Sequence, residues 1–319
     1  MNNLKAPSFG IALSGGGARC AAHIGFLKAV DKKIRIKELA GASGGAIVAT
    51  LYSMGKLQEL EDFLMKITNK EITNFFKPSN LKDGLFDSSR IINFIRSFTG
   101  DLKLEELEIP VTIVASDITH NRPVYFRKGD AAKIVAASCA IPGLFSPIKI
   151  GNSYFVDGGL FNNTPADVLS KNIDFKVLVD AGIHGGIADV LKHLTLNYRR
   201  IKKLLENYEK KIKEHKKLRR LEKSILVRKI VRELKIMNKN KTFNTNLNKE
   251  RYTLFRIIIS SLDNFNISDV NAAKSKCDYY ITPKIRISNL SFHKTKLAIT
   301  PGEKSGFEFL EKLKKDGII

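Results

Sequence analysis

Ser43 lies in the pentapeptide Gly41-Ala42-Ser43-Gly44-Gly45, which fits Gly-x-Ser-x-Gly. That spacing suits a tight strand-to-helix turn that lifts a serine hydroxyl clear of the chain. A short stretch, 36–40, precedes it and a helix-like run, 46–51, follows. The same five residues also arise by chance, and a serine there can be no more than a small residue in a bend. Nucleophilic chemistry at Ser43 would need two further things. One is a base for its proton, and the other is a set of donors for the oxyanion formed when a carbonyl is attacked.

Both have candidates. The run Ser14-Gly15-Gly16-Gly17-Ala18-Arg19 follows an apolar stretch and opens a helix-like one. It fails the dinucleotide fingerprint, because Cys20 stands at the third glycine position, and no Gly-Lys-Ser/Thr follows for a phosphate loop. The backbone N–H groups of Gly15, Gly16 and Gly17, free of side chains at a helix N-terminus, suit a developing oxyanion instead. Arg19 either adds positive charge or braces the loop. Asp157, in Val156-Asp157-Gly158-Gly159, is the candidate base, with two glycines that let another backbone come close. The structural alternative is an ordinary turn aspartate before glycine.

Three ordered blocks, SGGGAR, GASGG and VDGG, together resemble the patatin-like phospholipases of bacterial type. A fourth, ASCAIPGLFSPI (137–148), resembles a block that the family carries between its serine and its aspartate. The resemblance runs over residues 8 to about 186 and more weakly over 257 to 316. It implies an α/β fold, a three-layer αβα domain around a mostly parallel sheet. It implies a serine lipid acyl hydrolase acting on carboxylic esters of phospholipids or related acyl lipids, with no metal or organic cofactor. Ser43 is then the nucleophile, Asp157 its base, and Gly15–Gly17 the oxyanion hole with Arg19 auxiliary. The departure is Cys20, where the family usually has glycine. Two rival readings remain: a Ser-His-Asp triad, for which His184 is better placed than His193, His215 or His293, and a non-catalytic lipid-binding or scaffold protein. His23 reads as a packed core histidine.

The elements needed to position these residues are legible as alternating buried-strand and helix patterns. Strands are expected at FGIALS (9–14), VTIVASD (111–117), DFKVLVDAG (174–182) and CDYYITPKI (277–285). Helices are expected at 18–30, 88–98, 131–137 and from about Glu303 to Lys315. The stretch 74–86, with Phe75 and Phe76, is either a lipid-facing flap or a loop packed on the core. The domain reading is a catalytic core at 8–190, a basic helical insertion at 191–256 and a C-terminal segment, 257–319, that completes the core.

Charge singles out the insertion. Residues 192–256 hold 22 Lys+Arg against 6 Asp+Glu, so they carry +16 of the net +22. An apolar stripe (Leu194, Tyr198, Ile201, Leu205, Tyr208, Ile212) recurs at helical spacing. A basic amphipathic helix suits the surface of an anionic membrane, or else a helix-pair or homodimer seam. Nucleic acid is disfavoured, since no zinc-finger spacing or RNA-binding signature accompanies the charge. Three cysteines without metal-type spacing suit a reducing compartment. With neither a signal-peptide pattern nor a spanning apolar segment, a cytoplasmic, peripherally membrane-bound protein is expected.

Overall fold

Strand β1, Ser8–Leu13, is buried along its whole length. Its side chains alternate in size. Phe9, Ile11 and Leu13 enter the main core, whereas Ala12 joins a small cluster with Ala40, Ala166, Leu169 and Leu178 on the opposite face. A side chain at Gly10 would touch Leu169 and Ile173. Large residues therefore face the helices, and small ones face a segment that approaches closely. The computed structural model describes residues 6–68, 86–142, 144–182, 272, 274–287, 289 and 291–319.

β1 sits between β2 (Arg35–Ala42) and β7 (Phe175–Val179), parallel to both. The sheet runs β5-β6-β3-β2-β1-β7-β8, with β4 (Arg122–Phe126) also paired to β3. β3 is Val111–Asp117, β5 Ile148–Ile150, β6 Ser153–Asp157 and β8 Tyr279–Ile281. The β3–β2–β1–β7–β8 ladder is parallel, while β4 and β6 join β3 antiparallel and β5 joins β6 antiparallel. Flanking helices complete an α/β fold. They are α1 (Ala21–Val30), α2 (Gly44–Ser53), α3 (Leu57–Lys66), α4 (Ser89–Thr99), α5 (Ala131–Ser138) and α6 (Lys296–Lys315). The expected strands and helices are all present where the residues are described. Residues 191–256, with the basic insertion, and most of 74–86 lie outside the described residues. Among the described residues no helix is long and apolar enough to cross a membrane.

Two boundaries differ most from expectation: the strand expected at 277–285 is confined to Tyr279–Ile281, and the last helix starts early. The last helix begins at Lys296, not near Glu303, and carries Pro301 inside it. A proline interrupts the helical hydrogen-bond ladder, yet tertiary packing holds the two turns around it. A Cβ at Gly302 would lie 1.9 Å from the Ala22 carbonyl oxygen, and one at Gly25 2.0 Å from that of Ile299. α1 and α6 thus touch backbone to backbone through glycines, which outweighs the proline penalty. Gly302→Ala should lower stability by about 3 kcal/mol through overpacking, read as a fall in the urea midpoint with the slope of the transition unchanged.

Candidate active site

The sheet register brings the chemistry together. β1 ends in the glycine run and β2 ends at Ser43, on adjacent strands whose ends pair Leu13 with Gly41. Ala42 pairs with Val114 on β3, and the next β3 residue, Ala115, faces Asp157 at the end of β6. Ser43, Ala115 and Asp157 therefore share one level across three neighbouring strands, at the carboxyl ends of the parallel ladder where α/β sheets place their sites.

Ser43 is the N-cap of α2 with φ 53° and ψ −126°. A non-glycine residue in that region is strained, and the surroundings must hold it there. Its N–H donates to Ser138 Oγ (2.8 Å), whose own hydroxyl donates to the Val114 carbonyl (2.6 Å). Glycines admit the neighbours. A Cβ at Gly45 would lie 2.3 Å from the Leu13 carbonyl oxygen, and one at Gly44 2.7 Å from Cys20 Cβ. Cys20, at the position where the resembled family usually has glycine, thus packs against the elbow itself.

Ser43 Oγ donates to Asp157 Oδ2 at 2.6 Å. Asp157 is fully buried, and its other oxygen accepts the Gly159 N–H (2.9 Å). Ser116 Oγ donates to the Asp157 carbonyl (2.8 Å) and fixes the strand end. Burial raises the Asp157 pKa to about 7, against the smaller lowering effect of its hydrogen bonds from Ser43 and Gly159. Gly158 lies against the β3 backbone, where a Cβ would be 2.1 Å from the Val114 carbonyl oxygen. That accounts for the glycine that follows the aspartate.

The glycine loop is held from both sides. The Gly15 N–H donates to the Asn163 carbonyl (3.1 Å) and the Ala18 N–H to the Asn289 carbonyl (2.7 Å). Among the described residues, no backbone partner takes the N–H of Gly16 or Gly17. Gly17 has φ 55° and lines a cavity together with Ser43. Arg19 is buried and donates to four carbonyls: Ala181 (2.6 Å), Gly182 (2.8 Å), Ile285 (3.0 Å) and Ile287 (2.9 Å). Burial lowers its pKa to about 10. Of the two roles open to Arg19, bracing is the one its contacts perform.

Of the histidines weighed from the sequence, His23 and His293 are among the described residues. His23 is wholly buried with Nε2 2.9 Å from the Ser14 carbonyl, and burial lowers its pKa to about 4. His293 lies in an exposed turn. His184, His193 and His215 lie outside the described residues. Cys20 and Cys139 line the same cavity as Ser43, and burial pushes both thiols up. Ser138, Asn163 and Ser116 escape sequence reasoning as positioning residues. Ser138 lies in the fourth family-like block and Ser116 in an expected strand, but nothing in their spacing marks a hydroxyl that reaches across the fold.

Fold and site together define an α/β protein with a strained serine hydrogen-bonded to a buried carboxylate at its strand ends. The patatin-like phospholipase family profile matches residues 11–170, and the chain belongs to that family. An uncharacterized NTE family protein of Mycobacterium tuberculosis is 32% identical over 177 residues, 55% of this chain and 49% of that one. The neuropathy target esterase of Drosophila melanogaster is 31% identical over 176 residues, 52% of this chain and 12% of that protein. The chain thus spans about half, or less, of the length of these relatives. Among solved structures, VipD from Legionella pneumophila superposes with a TM-score of 0.45 at 14% identity, over 97% of this chain and 77% of that one.

The buried carboxyl predicts a pH effect on stability. Between its ordinary value of 3.8 and about 7, folded Asp157 keeps a proton that the unfolded chain has released. Its contribution is therefore full below about pH 4, falls as pH rises, and levels off above about pH 7. Asp157→Asn cannot ionise, so its stability relative to wild type should rise between pH 4.5 and pH 8, measured as urea midpoints. A difference that stays flat with pH would refute the raised pKa.

Proposed function

We propose that this protein is a serine lipid acyl hydrolase that cleaves carboxylic ester bonds through an acyl-enzyme on Ser43. The observation that carries the reading is the 2.6 Å hydrogen bond from Ser43 Oγ to the buried Asp157 carboxylate. Ionised Asp157 takes the serine proton as Oγ attacks the ester carbonyl. The carbonyl electrons move onto oxygen, where the Gly16 and Gly17 N–H groups and the N-terminus of α2 stabilise the charge. Gly15, whose N–H is already donated to Asn163, holds the loop in place. Collapse expels the alcohol, which takes the proton from Asp157. Water then attacks the acyl-enzyme with Asp157 again as base, and the acid departs.

A carboxyl with a pKa near 3.8 would be a weak base for a hydroxyl at neutral pH. Raised to about 7, it is matched to the task. The two-residue arrangement is favoured over a triad because Asp157 contacts the serine directly, where a triad interposes a histidine. Lipid as substrate is supported by family membership and by the apolar cavity that Ser43 lines.

Residues 192–256, outside the described residues, are proposed to draw the enzyme onto anionic membranes through their net +16. Liposome binding should rise with the fraction of anionic lipid and weaken with salt, as the Debye length falls from ~10 Å at 0.1 M to ~3 Å at 1 M. Charge reversal at Lys202, Lys203, Lys210, Lys211, Lys216 and Lys217 should abolish it. Salt-insensitive binding, or a dimer in solution that binds no liposomes, would favour the helix seam instead.

Ser43→Ala should lower short-chain ester hydrolysis by ~10⁴ or more, and a fluorophosphonate probe should label wild type at Ser43 alone. Asp157→Asn should cost ~10²–10⁴. For wild type, kcat/KM should rise with pH through an apparent pKa near 7, a limb absent in Asp157→Asn. Label on another serine would sink the assignment. Substituting His293 or His184 with loss as deep as Ser43→Ala, fold intact, would restore the triad.

A further inference from the structure

The cavity that opens beside Ser43 has a volume of about 190 Å³. Among the described residues its walls are mostly apolar residues of α2, α3, α4 and the loop after α5, with Gly17, Ala18, Cys20, Ala21, Phe292 and Thr295 completing them, and no charged side chain lines it. Its direction follows from the elements that bound it. On α2, Ser43, Ile47 and Val48 face it, but Leu51 does not. The cavity therefore runs along the first turns of α2 from its N-terminal end. Phe63 of α3 and Phe94 of α4 also line it, and their rings meet at 5.0 Å. Behind them stands Phe98, 6.1 Å from Phe63 and 5.3 Å from Phe94, which does not line the cavity. The Phe98 carbonyl accepts from Lys56 Nζ at 2.7 Å. Lys56 lies just past the C-terminal end of α2, so this aromatic group stands at the end of the helix opposite Ser43.

We infer that this cavity is a slot for one fatty-acyl chain of medium length, and that the half-buried Phe63 and Phe94 set the length at its far end. The inference rests on Ser43 as the acylated residue and adds which acyl groups it accepts. At ~30 Å³ for each water-sized group, about 190 Å³ holds roughly six methylenes beyond the carbonyl. Chains of about six to eight carbons fill the slot. Longer ones meet the two tilted phenylalanine rings, and a misfit of one methylene in an apolar pocket changes selectivity by ~10-fold or more. The two thiols in the wall do not oppose an acyl chain, since both remain neutral there.

The test is a series of p-nitrophenyl esters from acetyl to hexadecanoyl, each below its micelle-forming concentration. Active sites are counted by fluorophosphonate labelling, so that misfolded enzyme is excluded. Wild-type kcat/KM should peak at hexanoyl to octanoyl and fall at least ~10-fold by dodecanoyl. Phe94→Ala and the milder Phe63→Leu should raise the ratio of decanoyl to hexanoyl turnover by ~10-fold. Ile47→Phe fills the slot from α2 and should lower the ratio of hexanoyl to acetyl turnover by a similar factor. Should both phenylalanine variants fail to fold, Ile47→Phe decides alone. A wild type that takes the label but shows a flat profile, or labelled variants with unmoved ratios, overturns the slot. A wild type that takes no label overturns the reading of Ser43 and the slot with it.

Discussion

A carboxylate placed fully out of water, with no Lys or Arg beside it among the described residues, is the constraint on which this site depends. Asp157 has a hydroxyl and one backbone N–H for partners. Burying an unpaired charge is expensive, and the group answers by holding its proton to higher pH. The stability lost by ionising Asp157 is what would suit it to the proposed role of base. The surrounding sheet must therefore be stiff enough to keep water and cations away, and the parallel ladder with β6 clasped antiparallel to β3 supplies that stiffness.

Close approach is the second requirement, and glycine provides it where a Cβ would collide with backbone. Gly45 admits the end of β1, Gly158 admits β3, and Gly25 and Gly302 bring α1 against α6. Arg19 solves a related problem. The glycine loop has few side chains of its own with which to hold a shape, so a buried guanidinium ties it to four carbonyls on either side of β8. Its charge is dispersed among those dipoles, which suits a rigid clamp better than a ligand for a moving substrate.

The parts legible in the sequence were those whose physical cause is local. The buried strands read directly, because a strand covered on both faces has no polar alternation to confuse. The elbow and the glycine loop read as motifs because left-handed or crowded backbone restricts the residue types allowed. Asp157 was legible as a candidate base, but not its hydrogen bond to Ser43, which follows from the joint register of β2, β3 and β6. Ser138 and Asn163 were invisible for the same reason. The last helix starts earlier than its sequence pattern suggests: Pro301 lies inside it, where a glycine-mediated contact with α1 offsets the local penalty. The basic run 192–256 was plain in composition, yet charge alone reports a partner's sign and not the structure that meets it.

Ser43 has polar partners at the strand ends and also lines an apolar cavity. Toward the strand ends lie hydroxyls, carbonyls and the carboxylate, each in a defined hydrogen bond. Toward α3 and α4 lies an apolar wall that offers a ligand no charge. The proposed substrate, polar at its carbonyl and apolar beyond it, would suit that boundary. The elbow is where the two environments meet, and its positive φ aims the hydroxyl at the seam between them. Relaxing that torsion would leave the serine within one environment or the other, hydrogen-bonded or packed, and no longer able to serve both.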